Sequence, residues 1–239
     1  MEYGHFDYAS APHLFLYRRG VGPLQMAWDT NVLIDYLNFG NALWNGHDLD
    51  IDDPEYAKQV HAIGRIMDPH YCFWDIRIHL FDEILNDAKR ALCIERRSRR
   101  EHALERFARA LMYVEWGEGD ENEEGSLMGE GWESEHGQEP LFEIEPSAQT
   151  PIPEYQSLLA ALPNGHDRIL VKEAVDRDMH VFLTQDKGIL RAAPFARRLG
   201  LLIVKPNDFL QLFEGAGISP MQFPAPDLAR ISKVIQALP

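Results

Sequence analysis

The sequence predicts an α/β fold, a three-layer α/β/α sandwich around a central, mostly parallel sheet. Three observations carry that expectation. The runs 24–28, 181–184 and 201–204 are short and almost continuously apolar, the pattern of strands buried on both faces. Segments with helical spacing separate them, and this alternation yields parallel strands joined by short right-handed crossovers. The chain has 239 residues, 45% hydrophobic and 26% charged, enough for a sizeable core and unlike a collagen, coiled-coil or disulfide-scaffold composition.

The elements follow in order. Strand 24–28 (LQMAW) ends at Asp29, and Val32, Leu33, Tyr36 and Leu37 give helical spacing over 30–37. The polar, Gly-containing stretch 38–53 reads as a loop ending in Asp53-Pro54, which is N-cap and N1 chemistry for a helix to about Met67. Its acids Asp48, Asp50 and Asp52 do not make a calcium loop. The sixth position would be Asp53 instead of Gly, and the twelfth Gln59 instead of Glu. Residues 71–78 alternate as a strand near a sheet edge, and a helix begins within Phe81-Asp82-Glu83-Ile84-Leu85. Further on come a helix over 153–162, a turn at Pro163-Asn164-Gly165 and a helix opened by Asp167. Strand 181–184, a short helix from Lys187, strand 201–204 and a helix opened by Asn207-Asp208 complete the pattern. A weakly amphipathic helix over 227–238 is expected to pack on the body.

Charge is unevenly placed. The formal net charge of −15 argues against a polyanionic partner if spread evenly. However, twelve acids and no Lys or Arg lie within 110–150, and without that window the charge is −3. The stretch from about 115 to 147 reads as an acidic, Gly- and Ser-containing insertion that stays solvated. Immediately before it, 89–109 holds eight basic residues against Glu95, Glu101 and Glu105. Leu104, Phe107, Leu111 and Val114 recur every three or four positions, so a helix with a buried stripe and a basic outer face is expected. That face is either laced with i,i+4 ion pairs or a phosphate-contacting surface, with Arg96, Arg97, Arg99 and Arg100 as the candidate nucleic-acid contacts. It is also complementary to the insertion, which could fold over it and compete with nucleic acid.

Topology gathers four acids. In a parallel sheet flanked by helices, strand C-termini and the following helix N-termini share one edge, where ligands bind. Asp29 follows the first strand, and Glu83 stands where strand 71–78 gives way to its helix. Asp167 opens the helix that leads into strand 181–184, and Asp186 follows that strand. Asp82 competes with Glu83, because topology does not separate neighbours. Each acid alone could simply be a helix N-cap. Four together repel unless cations neutralise them, and an all-oxygen set suits Mg²⁺ or Mn²⁺.

These segments resemble a known family. Trp28-Asp29-Thr30-Asn31-Val32-Leu33-Ile34-Asp35 is similar to the opening strand and turn of a PIN domain, and Phe81-Asp82-Glu83-Ile84-Leu85 to its second acidic element. His166-Asp167-Arg168-Ile169-Leu170-Val171-Lys172-Glu173-Ala174 resembles the third. Phe182-Leu183-Thr184-Gln185-Asp186-Lys187-Gly188-Ile189-Leu190 resembles the fourth, with Pro206-Asn207-Asp208-Phe209-Leu210 beyond it. The resemblance implies a PIN-like nuclease domain over 23–212, interrupted by the insertion, with extensions at 1–22 and 213–239. It implies a metal-dependent endoribonuclease, in which Asp29, Glu83, Asp167 and Asp186 hold Mg²⁺ or Mn²⁺ and a metal-activated water hydrolyses an RNA phosphodiester. Asn31 and Thr184 would be polar supports, and Asp208 an outer acid. The alternative is a PIN-like module that binds RNA or protein without cleaving. The family also brings an inhibitory protein partner, as in toxin–antitoxin pairs, and a homodimer into view. The chain length and the insertion set it apart from the small toxin-type members.

Other chemistry has little support. No apolar run approaches the roughly 18 residues of a membrane span, and the N-terminus has no basic start, so a cytoplasmic protein without membrane contact is expected. Cys72 and Cys93 read as free thiols. The ten histidines show no zinc spacing, and no nucleotide-binding glycine loop or G-x-S-x-G turn occurs.

Overall fold

The chain begins with two short antiparallel strands, β1 (Phe6–Asp7) and β2 (Val21–Gly22). It then builds a four-stranded parallel sheet from β3 (Leu24–Trp28), β4 (Ile76–His79), β5 (Val181–Leu183) and β6 (Leu202–Val204), in the order β4-β3-β5-β6. This is a computed structural model describing residues 4–222, except 69, 72, 90–95, 99, 105–106, 108–152 and 164. The acidic insertion, the helix expected over 227–238, Arg99, Leu111, Val114, Cys72 and Cys93 lie outside the described residues.

The helices alternate with the strands as the pattern requires. They are α1 (Thr30–Trp44), α2 (Pro54–Ile66), α3 (Asp82–Ala88), α4 (Pro153–Ala161), α5 (His166–Asp176), α6 (Lys187–Leu190), α7 (Ala193–Ala196) and α8 (Pro206–Gly215). A 3₁₀ turn, Arg197–Leu199, precedes β6. Every residue of β5 and β6 is buried, and β3 is buried except at Gln25, so helices cover both faces of the sheet. α1 packs on α2 and α3, α2 packs on α8, and α4 packs on α7. Edge strand β4 is only half-buried along its length. The protein is thus a mixed α/β fold around a parallel sheet.

Two expected boundaries move. The strand expected over 71–78 starts only at Ile76. Tight turns occupy the preceding residues, with Tyr71 N–H donating to Asp68 O and Trp74 N–H to Tyr71 O. The helix expected over 30–37 continues through residues read as loop, to Trp44. Its last turn is tied back to the core by Trp44 Nε1 donating to Tyr36 Oη at 2.9 Å. Gly64 lets α2 approach α1, because a Cβ there would meet Leu43 Cδ1 at 3.0 Å. Local periodicity does not encode such tertiary contacts.

The helix start at Asp53-Pro54 matches the sequence, since the Asp53 carboxylate accepts from Glu55 N and Tyr56 N. Asp53→Ala is expected to lower stability by about 1 kcal/mol in urea denaturation. The N-terminal segment belongs to the same core. Phe6 lies between Phe15, Trp74 and Phe213, and Gly4 bridges to Trp74. Of the basic helix, 96–98, 100–104 and 107 are described as helical, and Phe107 is fully buried against Trp28 and Tyr36.

Candidate functional site

Strand order reverses at β3. From β3 the chain first adds β4 on one side and later β5 on the other, so the crevice between the C-terminal ends of β3 and β5 is a switch point. Asp29 and Asp186 are placed there by the two adjacent strands. Asp29 N–H donates to Leu183 O at 2.9 Å, which carries the ladder one residue past β3. Asp29 also caps α1, accepting from Thr30 N at 2.7 Å on Oδ1. Asp186 caps α6, its Oδ1 accepting from Gly188 N at 2.5 Å and Ile189 N at 3.0 Å.

The two residues expected as supports both bond to Asp29. Asn31 Nδ2 donates to its Oδ2 at 2.8 Å, and Thr184 Oγ1 donates to the same oxygen at 2.5 Å. Thr184 Oγ1 in turn accepts Asp186 N–H at 3.0 Å, so one hydroxyl couples the two acidic turns. Asn31 Oδ1 accepts Gln185 N–H at 3.3 Å. Behind them, buried Asp35 accepts from Gln185 Nε2 and Tyr56 Oη, both at 2.5 Å. This layer joins α1, α2 and the turn after β5. Asp35 lies four residues beyond Asn31, so helical spacing in the sequence could have pointed to it.

The electrostatics are those of crowded carboxylates. Asp29 is only 5% exposed, and burial pushes its carboxyl up to about 6, with Asp167 and Asp186 adding to the shift against its hydrogen bonds. Asp167, in the first turn of α5, is also raised, first by burial and then by Asp186 and Asp87. Asp29, Asp167 and Asp186 therefore form one interacting group.

Glu83 stands at its margin, on α3. His166 Nδ1 is 3.6 Å from Glu83 Oε2, and His166 Nε2 is 4.0 Å from Asp87 Oδ1. Sequence reasoning did not single out Asp87 or His166. Asp87 is one helical turn after Glu83, and His166 directly precedes Asp167, so both signals were present. Asp82 shares the first turn of α3 and is exposed, and Asp208 is exposed in the first turn of α8. Arg96 and Arg97 are exposed, with Arg97 Nε 3.7 Å from Glu101 Oε1. Arg100 is half-buried, and burial lowers its pKa.

Among the described residues, no group of three or more His, Cys, Asp or Glu side chains is drawn together closely enough to hold a metal ion. The donor set nevertheless fits a hard divalent cation. Asp186 Oδ2 makes no hydrogen bond among the described residues, and Asp29 Oδ1 accepts only one. Thr30 Oγ1, next to Asp29, is buried without a partner.

Fold and geometry together define a mixed α/β protein with a carboxylate cluster at the switch point of its parallel sheet. No protein-family model, curated protein or solved structure matches the chain. No helix among the described residues is long and apolar enough to cross a membrane.

Proposed function

We propose that the chain is a PIN-like, metal-dependent endoribonuclease whose site is formed by Asp29, Asp167 and Asp186, with Glu83 at its margin. One observation carries the reading: the Asp29 carboxylate is buried at the switch point, with Asp167 and Asp186 near enough to act on it. A cation bound beside it would favour its charged form and offset the repulsion from the other acids.

Bound Mg²⁺ or Mn²⁺ would acidify a water and stabilise the leaving oxygen of an in-line phosphodiester displacement. The chain's own residues hold and aim the ligand oxygens. Thr184 and Asn31 fix the Asp29 carboxylate through Oδ2 and leave acceptor capacity on Oδ1. The Gly188 and Ile189 amides hold Asp186 through Oδ1 and leave Oδ2 for a cation. Because Thr184 bonds to both turns, the two acids keep a fixed separation.

Incubating the protein and a mixed RNA pool with Mn²⁺ tests the reading. Wild type is expected to cleave, and Asp29→Asn and Asp186→Asn to lose at least about 100-fold in rate while remaining folded. Cleavage that persisted in both variants would place the chemistry elsewhere. RNA binding by wild type with no cleavage would favour the non-catalytic binding module.

A further inference from the structure

Opposite the carboxylates, the residues preceding β3, β5 and β6 form a corner at the N-terminal edge of the sheet. Tyr17 is an exposed large side chain of this corner, 78% accessible, and Val21, four residues on, is 68% accessible. Tyr17 also has φ 62, a left-handed conformation that L side chains adopt rarely. Leu14, Phe15 and Leu16 of this turn are buried, whereas the Tyr17 ring is not. The backbone thus holds an aromatic ring out into solvent.

Arginines share this corner of the fold. Gly200, with φ 83, lies against the turn, since a Cβ there would meet Leu16 O at 3.5 Å, Arg18 Nη2 at 3.7 Å and Tyr17 Cδ2 at 4.0 Å. Gly200 N–H donates to Arg197 O, which brings the exposed Arg197 and Arg198 to the same corner. Arg18 is engaged by Asp178, through Nη1 and through Nη2 to Oδ1 at 2.5 Å. Asp7 is occupied as well, accepting from Ala9 N at 3.0 Å. Arg19, Arg197 and Arg198 form no ion pair with any described residue.

We propose that this corner binds single-stranded nucleic acid, Tyr17 stacking on a base while Arg19, Arg197 and Arg198 contact phosphates. An exposed ring at a corner that also carries Arg19, Arg197 and Arg198, the last lying over Phe195 at 6.0 Å from its centroid, suits a flexible polyanion with flat bases. The proposal rests on the nuclease reading for the choice of polyanion. The corner lies across the sheet from the carboxylates, so it is a second contact for a strand and not part of the cleavage site.

The test is fluorescence anisotropy with a labelled oligouridylate of about ten nucleotides, in EDTA so that cleavage does not interfere. Tyr17→Gly removes the ring and suits the left-handed backbone. It is expected to weaken binding roughly tenfold without lowering the melting temperature. Arg19→Glu with Arg197→Glu should weaken binding by a similar factor and flatten its salt dependence. With Mn²⁺ present, both variants should still cleave a dinucleotide at the wild-type rate. Unchanged affinity in both variants overturns the proposal, as does wild-type binding to phosphatidylserine vesicles but not to the oligonucleotide. Loss of the nuclease reading shows separately, as absent cleavage by wild type or persistent cleavage by Asp29→Asn.

Discussion

Asp29→Asn is expected to remove a pH dependence of stability that wild type carries between about pH 7 and 4. In the folded protein the Asp29 carboxyl lies at about 6, above its ordinary value of 3.8. A group raised in this way stabilises the fold fully below the unfolded value, and that stability is lost as pH rises through the folded value. A shift of this size corresponds to about 3 kcal/mol, of which about 2 kcal/mol is realised by pH 4. Two histidines act in the opposite sense. Burial, aided by nearby arginines, lowers His79 and His180 to about 4, so their contribution is lost as pH falls from 6.5 toward 4. Asp35 and Asp167, also raised by burial, act in the same sense as Asp29 and remain in the variant together with the histidines, so the comparison with wild type isolates Asp29. Urea denaturation at pH 7 and pH 4 should therefore show the stability of Asp29→Asn, relative to wild type, falling by about 2 kcal/mol on acidification. A constant difference would mean that Asp29 is not a strained carboxylate. Adding Mn²⁺ at pH 7 should raise the wild-type melting temperature, by roughly 5–10 °C at a hundredfold excess over Kd, and leave the variant unmoved.

Phe107→Ala should produce the largest loss of stability in the basic segment, about 3–5 kcal/mol. The ring is fully buried, stacked on Trp28 at 5.7 Å and tilted against Tyr36 at 4.9 Å. Trp28 immediately precedes Asp29, so a cavity there opens under the cluster. The expected fall in melting temperature is on the order of 10 °C, checked by calorimetry beside Phe107→Leu, which keeps most of the volume and should lose much less. A loss below about 1 kcal/mol would mean that the basic segment is not anchored on the core.

Much of this arrangement is legible in sequence, for local reasons. The run 24–28 is a strand with the expected limits, because four apolar residues and Gln25, bounded by Pro23 and Asp29, admit little else. Asp53, Asp186 and Asp29 cap helices because short acids before helical runs satisfy backbone N–H groups within a few residues. The extension of α1 to Trp44 and the late start of β4 were not legible. Both depend on partners distant in sequence, such as Gly64 of α2 beside Leu43 and Gly4 bridging to Trp74.

The site divides in the same way. By itself the sequence determined which acids follow which strands, and therefore the edge on which Asp29, Asp167 and Asp186 gather, since topology alone sets that edge. Tertiary structure decided which of them act on one another, that Asn31 and Thr184 both hold Asp29 Oδ2, and that Glu83 faces His166 while Asp208 is exposed. It also brought Gly200 and its arginines beside Tyr17, about 180 positions away in the chain. Electrostatic coupling and hydrogen bonding act through distances of a few ångströms, and one-dimensional spacing fixes such distances only within a helix, a strand or a turn.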